Sequence, residues 1–528
     1  MVATADKYAT DTGLNILKNG GNAVDAAVAV GFVLAVTYPQ AGNIGGGGFM
    51  IIRTKDGEYA ALDYREKAPL KAKKNMYLDD KGDVRKDAST MGYLAIGVPG
   101  TVAGLFEAHS KYGSLPWNNL VQPAIDLAQN GFEIDLYHQE SLESNIEKFL
   151  NFDASRKIFT QDGLPYAEGD TLFQKDLAQT LRRIRDQGVK GFYDGKTAEK
   201  IVDAMENNNG LISDEDLKQY EPIWREIITF SYRDYDIFSM PLPSSGGIVL
   251  AEILNALENA NVKNLGHNSS TLIHLWVEIE KQAYADRSKH LGDLDFYDAP
   301  FESLISKKYG TKLFQNVNPH YARSTDATEP AQVEHLQTTH FSIVDEQGNA
   351  VSNTYTLNGS YGSGVVIDGT GILMNNEMDD FAIKPGFPNL YGLIGSEANA
   401  IEPAKRMLSS MTPTIIEKSG ELFMVVGSPG GSTIITTVAQ VISNVLDHGM
   451  NIRDAVEAPR FHHQWLPDII YYEHNGFSSD VLFNLRRKGH QLQETEALGD
   501  IQAIVKDCDK LEWTGWSDPR RNGLTKGY

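Results

Sequence analysis

Thr338-Thr339-His340-Phe341-Ser342-Ile343-Val344-Asp345-Glu346-Gln347-Gly348-Asn349-Ala350-Val351-Ser352-Asn353-Thr354-Tyr355-Thr356-Leu357-Asn358 is the stretch whose reading decides the fold. Apolar residues alternate at Phe341, Ile343 and Val351, the period of a strand, and Glu346-Gln347-Gly348 supplies a three-residue hairpin loop with glycine in the left-handed position. Such a loop pairs Asp345 with Asn349 and makes Gln347 the pivot of the hairpin. Counting outward along both arms, Thr338 falls opposite Thr356, within one residue if a bulge intervenes. Cross-strand Cβ atoms lie about 4.5–5.5 Å apart, close enough for two hydroxyls to hydrogen-bond. Paired threonines are common in sheets, so spacing alone leaves a stabilising pair and a nucleophile with its partner both open.

Working outward, the spacing predicts strands over 49–53 and 59–64 joined by Lys55-Asp56-Gly57, with Arg65 at the end of the second arm. Further β-structure is expected at Ile372-Leu373-Met374, at Thr414-Ile415-Ile416 and over 422–426, followed by a helix over 433–445. Near the start one helix ends at Asn19-Gly20-Gly21, and a second is opened by Asn22 with Asp25 three residues on, as in a capping box. The apolar run 26–36 is too short to span a bilayer and reads as a buried helix. Leu272, Leu275, Ile279 and Ala283 repeat at helical spacing on a core face. Over 311–337 periodicity fades into Asn, Ser, Thr, Pro and Gln, an exposed connector that puts a boundary at 337/338. The expectation is an α+β chain with two sheet layers between helices.

Composition narrows function. The 528 residues are 41% hydrophobic and 22% charged, an ordinary globular balance, with a formal charge of −22 that repels nucleic acid and anionic membranes. An anionic small substrate would need a local cation. Cys508 is the single cysteine, so neither an internal disulfide nor a thiolate metal cluster can form. No signal peptide is visible ahead of Ala3, which fits a cytoplasmic protein or a removed leader. Phosphate-loop, zincin, Gly-x-Ser-x-Gly and EF-hand motifs are absent. Gly45-Gly46-Gly47-Gly48 lacks dinucleotide-binding spacing and reads as close backbone packing, and His462-His463 lacks partners at zinc-ligand spacing. Three clusters remain: Asn375-Asn376-Glu377-Met378-Asp379-Asp380, suited to an ammonium group or calcium; Ser409-Ser410-Met411; and Ser428-Pro429-Gly430-Gly431-Ser432 before a helix, suited to an oxyanion.

These residues, with Asn19-Gly20-Gly21-Asn22-Ala23-Val24-Asp25, Asp63-Tyr64-Arg65-Glu66, Gly97-Val98-Pro99-Gly100-Thr101, Pro243-Ser244-Ser245-Gly246-Gly247, Ala458-Pro459-Arg460-Phe461-His462 and Ser517-Asp518-Pro519-Arg520, resemble the gamma-glutamyltransferase (gamma-glutamyltranspeptidase) family of N-terminal-nucleophile hydrolases, bacterial type. The resemblance implies an αββα sandwich of two mainly antiparallel sheets. It implies self-cleavage between Gln337 and Thr338 into a large fragment, 1–337, and a small one, 338–528, which stay together as a heterodimer in one αββα unit.

By the same resemblance Thr338 is nucleophile and, through its new α-amine, base, while Thr356 orients it. Gly430 and Gly431 form the oxyanion hole. Arg65 takes the γ-glutamyl α-carboxylate with Ser409 and Ser410; Asn358, Glu377 and Asp380 take its α-ammonium; Tyr391 lies on the lid loop 384–392. Donors would be glutathione and related γ-glutamyl compounds, and acceptors water, amino acids or peptides. No cofactor or metal, no nucleic acid and no membrane span is implied, and the site of action would be periplasmic or secreted. Asn353 stands where an apolar residue, and Met407 where proline, is expected. The rival readings are a cephalosporin (glutaryl) acylase, against which the lid speaks, and an uncleaved binding homologue.

Overall fold

The computed structural model describes residues 1–325, 338–507 and 512–528. Gln337, the expected residue before the cut, lies outside them. Two antiparallel sheets stack face to face. One has seven strands in the spatial order Leu524–Lys526, Val2–Thr4, Thr339–Val344, Ala350–Thr356, Gly47–Arg53, Tyr59–Tyr64 and Ile223–Arg225. The other has six, in the order Glu512–Ser517, Gln502–Asp507, Glu421–Gly427, Thr414–Lys418, Tyr235–Ser239 and Ile228–Tyr232. Both sheets draw strands from before and after residue 337, so the expected boundary separates no folding unit.

The strand period of two explains the layering. Met50 and Ile52 face one apolar core, with Phe341, Ile343, Val351 and Tyr355, against the helices Lys7–Lys18, Ala23–Thr37 and Thr101–Tyr112. Phe49 and Ile51 face the second sheet, and that core continues to the helices Gly246–Leu257, Ser270–His290 and Ile434–Leu446. The result is the αββα sandwich. On the inner face of the hairpin Val344 and Ala350 join the second core, while the serines further in are polar and paired. Ser342 Oγ donates to the Gln502 carbonyl at 2.9 Å, Ser352 Oγ donates to the Val426 carbonyl at 3.1 Å, and the Thr414 amide donates to Ser352 Oγ at 3.0 Å.

The expected local elements form. Asn22 and Asp25 make the reciprocal capping box that starts Ala23–Thr37, a helix buried along its whole length. The start of the connector is the exception, because the helix 307–315 extends over 311–315. Ser306 caps it by accepting from the Tyr309 amide at 3.2 Å, and Gly310 lets its backbone press against Asn255, where a Cβ would sit 2.6 Å from the Asn255 carbonyl carbon. That tertiary fit is what the composition hid. No helix among the described residues is long and apolar enough to cross a membrane.

Candidate active site

The hairpin keeps the expected register. Ala350 pairs with Val344 and Tyr355 with Thr339, Gly348 takes φ +85° in the loop, and the next pair outward is Thr356 and Thr338. Their hydroxyl oxygens are 3.3 Å apart and both residues are buried. On its other side Thr356 pairs with Gly47. The glycine run makes this possible: a Cβ on Gly46 would lie 2.1 Å from the Thr356 carbonyl oxygen, and one on Gly47 2.5 Å from that of Tyr64.

His340, beside the two threonines in sequence, is no base. Its Nδ1 meets Thr354 Oγ1 at 2.7 Å and its Nε2 meets Ser342 Oγ at 3.1 Å, and burial pushes its pKa down to about 3.

Around Thr338 closes a cavity of about 20 Å³, room for one water. Of the expected residues, Thr356, Arg65, Asn358, Glu377, Asp380, Tyr391, Ser409, Ser410 and Gly431 all line it. Gly430 faces an adjoining groove of about 370 Å³ instead. Both glycines hold positive φ, 137° and 55°, which a side chain would strain, and a Cβ on Gly431 would strike the Tyr391 ring at 2.7 Å. A larger cavity of about 740 Å³ between Tyr93, Phe152 and Asp368 contains none of these groups.

Electrostatics organise the cavity floor. Arg65 follows its strand directly and is wholly buried. Its guanidinium bridges Glu377 and Asp380, the latter at 2.5 Å, with Glu66 at 3.6 Å. Burial opposes its charge, yet the three carboxylates hold its pKa above the ordinary value. Burial likewise raises Glu377 and Asp380, and it pushes Glu66 up to about 8. With three carboxylates around one paired guanidinium, the cluster keeps protons toward neutral pH.

The loop expected as a lid is latched through three successive residues. Tyr391 donates its hydroxyl to the Asn358 carbonyl at 2.6 Å, while Asn389 donates to Asp380 Oδ1 at 3.0 Å and the Leu390 amide to Asp379 Oδ2 at 2.7 Å. Asn358, held at φ +76°, donates its amide to Thr356 Oγ1 at 2.9 Å, so lid and threonine pair share one network. The two unexpected residues also have places. Asn353 accepts from the Tyr64 hydroxyl at 2.6 Å, and Met407 packs with Met378 and Phe381 while its carbonyl faces Arg65 Nε at 3.4 Å. Sequence reasoning missed Glu66 as a buried acid, although it adjoins Arg65, and missed Arg287, which lines the cavity from a helix read as scaffold.

A family model described as gamma-glutamyltranspeptidase matches residues 9–528. The chain belongs to the gamma-glutamyltranspeptidase family. It is 49% identical to the glutathione hydrolase proenzyme of Escherichia coli strain K12, over 100% of this chain and 92% of that protein. Among solved structures it resembles a cephalosporin acylase from Bacillus halodurans, with TM-score 0.88, 26% identity, 100% of this chain and 96% of that one covered. It also resembles the gamma-glutamyltranspeptidase of Helicobacter pylori, with TM-score 0.60, 49% identity, 60% of this chain and 92% of that one. The sandwich is thus that of the N-terminal-nucleophile hydrolases, and the chain is an enzyme of γ-glutamyl transfer and hydrolysis. The acylase shares the fold at much lower identity than the glutathione hydrolases, so fold alone does not separate the two chemistries.

Proposed function

We propose that this chain cuts itself between Gln337 and Thr338 and then hydrolyses glutathione and related γ-glutamyl compounds, passing the γ-glutamyl group to water or to an amino acid or peptide amine. The observation that carries this reading is the Thr338–Thr356 hydroxyl pair, 3.3 Å apart, in a cavity floored by Arg65 and two carboxylates. In the first step Thr338 Oγ attacks the Gln337 carbonyl, the peptide nitrogen departs as the Thr338 amine, and water opens the resulting ester to a Gln337 carboxylate. The fragments 1–337 and 338–528 remain joined through the shared sheets.

The freed α-amine, with an unperturbed pKa of about 7.7–8, takes the Oγ proton as Thr338 attacks the γ-carbonyl, and returns it to the leaving amine. Thr356 holds the attacking oxygen in line. Amides at Gly430 and Gly431 receive the oxyanion, each such donor being worth about 2.7–4 kcal/mol. Water or an acceptor amine then resolves the γ-glutamyl ester. The charge pattern supports a zwitterionic donor. Arg65, Ser409 and Ser410 take its α-carboxylate, while Glu377, Asp380 and Asn358 take its α-ammonium. A glutaryl group brings no ammonium and would leave two desolvated carboxylates unpaired, which argues against the acylase chemistry.

A nearly cysteine-free chain suits a periplasmic or secreted setting. The deciding experiment is a denaturing gel with a γ-glutamyl anilide assay alongside. Wild type should run as two fragments and release the aniline, and Thr338→Ala should stay one inactive chain. A single wild-type band without release would overturn the reading.

A further inference from the structure

A serine hydroxyl has one proton to give, and where it goes depends on what the oxygen already accepts. Arg287, in the last turn of Ser270–His290, donates Nη2–H to Ser410 Oγ at 3.2 Å and Nε–H to Ser245 Oγ at 2.9 Å. A guanidinium cannot accept a hydrogen bond, so both serines are acceptors here and must direct their own protons elsewhere. Ser245 gives its proton to the Ser409 carbonyl at 2.7 Å, and its amide reaches the same oxygen at 2.8 Å. That fixes the backbone carrying the serine pair. Ser410 Oγ has no second hydrogen-bond partner among the described residues and faces the cavity, so its proton points at whatever occupies that space.

Arg287 differs from Arg65 in one decisive respect. It is only 5% exposed, lines the same cavity, and forms no ion pair among the described residues, whereas Arg65 is bound by three carboxylates. A buried cation whose hydrogen bonds all go to neutral hydroxyls is poorly compensated, and burial depresses its pKa although Tyr284 and Asp380 offset part of the loss. A bound anion relieves that cost.

We infer that Arg287 is a positioning residue of the α-carboxylate subsite: its hydrogen bond to Ser410 Oγ sets that serine as an obligate donor to a carboxylate. The inference rests on the γ-glutamyl reading above and deepens it. Arg65 reaches the carboxylate itself, while Arg287 acts through Ser410 and, by way of Ser245, through the Ser409 backbone.

The test compares γ-glutamyl p-nitroanilide with 4-aminobutyryl p-nitroanilide, which keeps the amine and reacting carbonyl but lacks the carboxylate. For R287M, kcat/KM on the γ-glutamyl donor should fall about 10- to 100-fold, carried by KM rather than kcat, and on the carboxylate-free donor by less than about threefold. Inhibition by L-glutamate should weaken in parallel, and inhibition by 4-aminobutyrate should not. S410A should show the same selectivity, and R287M/S410A should fall no more than about threefold below the worse single variant, because the two residues act in series. R287K keeps the charge but not the fork, and should retain part of the selectivity. Should R287M accumulate uncut, R287K and S410A carry the same comparison. Equal losses on both donors, or additive losses in the double variant, would make Arg287 a merely structural residue and overturn the inference. Wild-type turnover of the γ-glutamyl anilide reports separately on the functional reading.

Discussion

Replacing Asp380 with asparagine is the sharpest test of the zwitterion argument, because it removes one charge and almost no volume. Asp380 Oδ2 lies 2.5 Å from Arg65 Nη2, and its Oδ1 accepts from Asn389 on the loop 384–392. Arg65 keeps Glu377, so the destabilisation should stay below the roughly 3–5 kcal/mol expected when a buried charge loses every partner. Turnover should suffer selectively. A charge-assisted hydrogen bond to the α-ammonium is worth about 1.5–3 kcal/mol, which at about 1.4 kcal/mol per decade is roughly 10- to 150-fold in kcat/KM for a γ-glutamyl anilide. A glutaryl anilide has no ammonium to lose, and Arg65 is freer to meet its carboxylate, so D380N should leave that weak activity unchanged or raise it. Initial rates on both anilides, with the extent of cleavage read from a gel, give the ratio directly. If D380N lowers both activities by the same factor, Asp380 is not reading the ammonium and the charge argument fails.

T356V removes the oxygen that faces Thr338 and that accepts the Asn358 amide; activity should drop at least about 100-fold while T356S retains most of it, measured as anilide release per cleaved chain. Y391F deletes the 2.6 Å lid bond and strands the Asn358 carbonyl, so KM should rise by about 5- to 100-fold with a smaller change in kcat, as seen in steady-state kinetics. Glu66, pushed up to about 8 by burial, binds its proton more tightly folded than unfolded, so its contribution to stability is complete below pH 4.5 and is lost as pH rises through about 8. E66Q should therefore flatten the fall in Tm between pH 5 and pH 9, which thermal melts across that range would show.

The hairpin register was legible because a three-residue loop with glycine fixes its pivot and the side-chain period does the rest; the structure places Thr338 and Thr356 together as that counting requires. The capping box at Asn22 and Asp25 was legible for the same reason, being local. What the chain hides is long-range. Arg65 and Glu377 are separated by 312 residues, and nothing in either neighbourhood says that the fold pairs them. Arg287 was invisible for a subtler reason: its helix has a clean core face at Leu272, Leu275 and Ile279, and a cation in its last turn looks like an ordinary response to the helix dipole. The short helix 307–315 runs into the first residues of the expected connector, and the close backbone fit of Gly310 against Asn255 that holds it is again long-range.

The small volume of the cavity follows from its ion pairs. Arg65 pairs with the carboxylates of Glu377 and Asp380 in the space the proposed reading gives to the donor's α-amino acid head, leaving about 20 Å³. A zwitterion can enter that set by exchange. Its carboxylate replaces the protein's carboxylates at Arg65, its ammonium replaces Arg65 at those carboxylates, and the count of paired charges is conserved. A ligand with only one of the two charges must leave a buried partner unpaired, at a cost that buried ion pairs make severe. Discrimination therefore arises from what the wrong ligand fails to return, more than from what the right one gains. Arg287 breaks the symmetry of the exchange, since it holds two serine hydroxyls and, among the described residues, no carboxylate in ion-pair contact that it would have to give up. The carboxylate end is the one place where binding adds a charge interaction outright, and the balance of affinity should sit there.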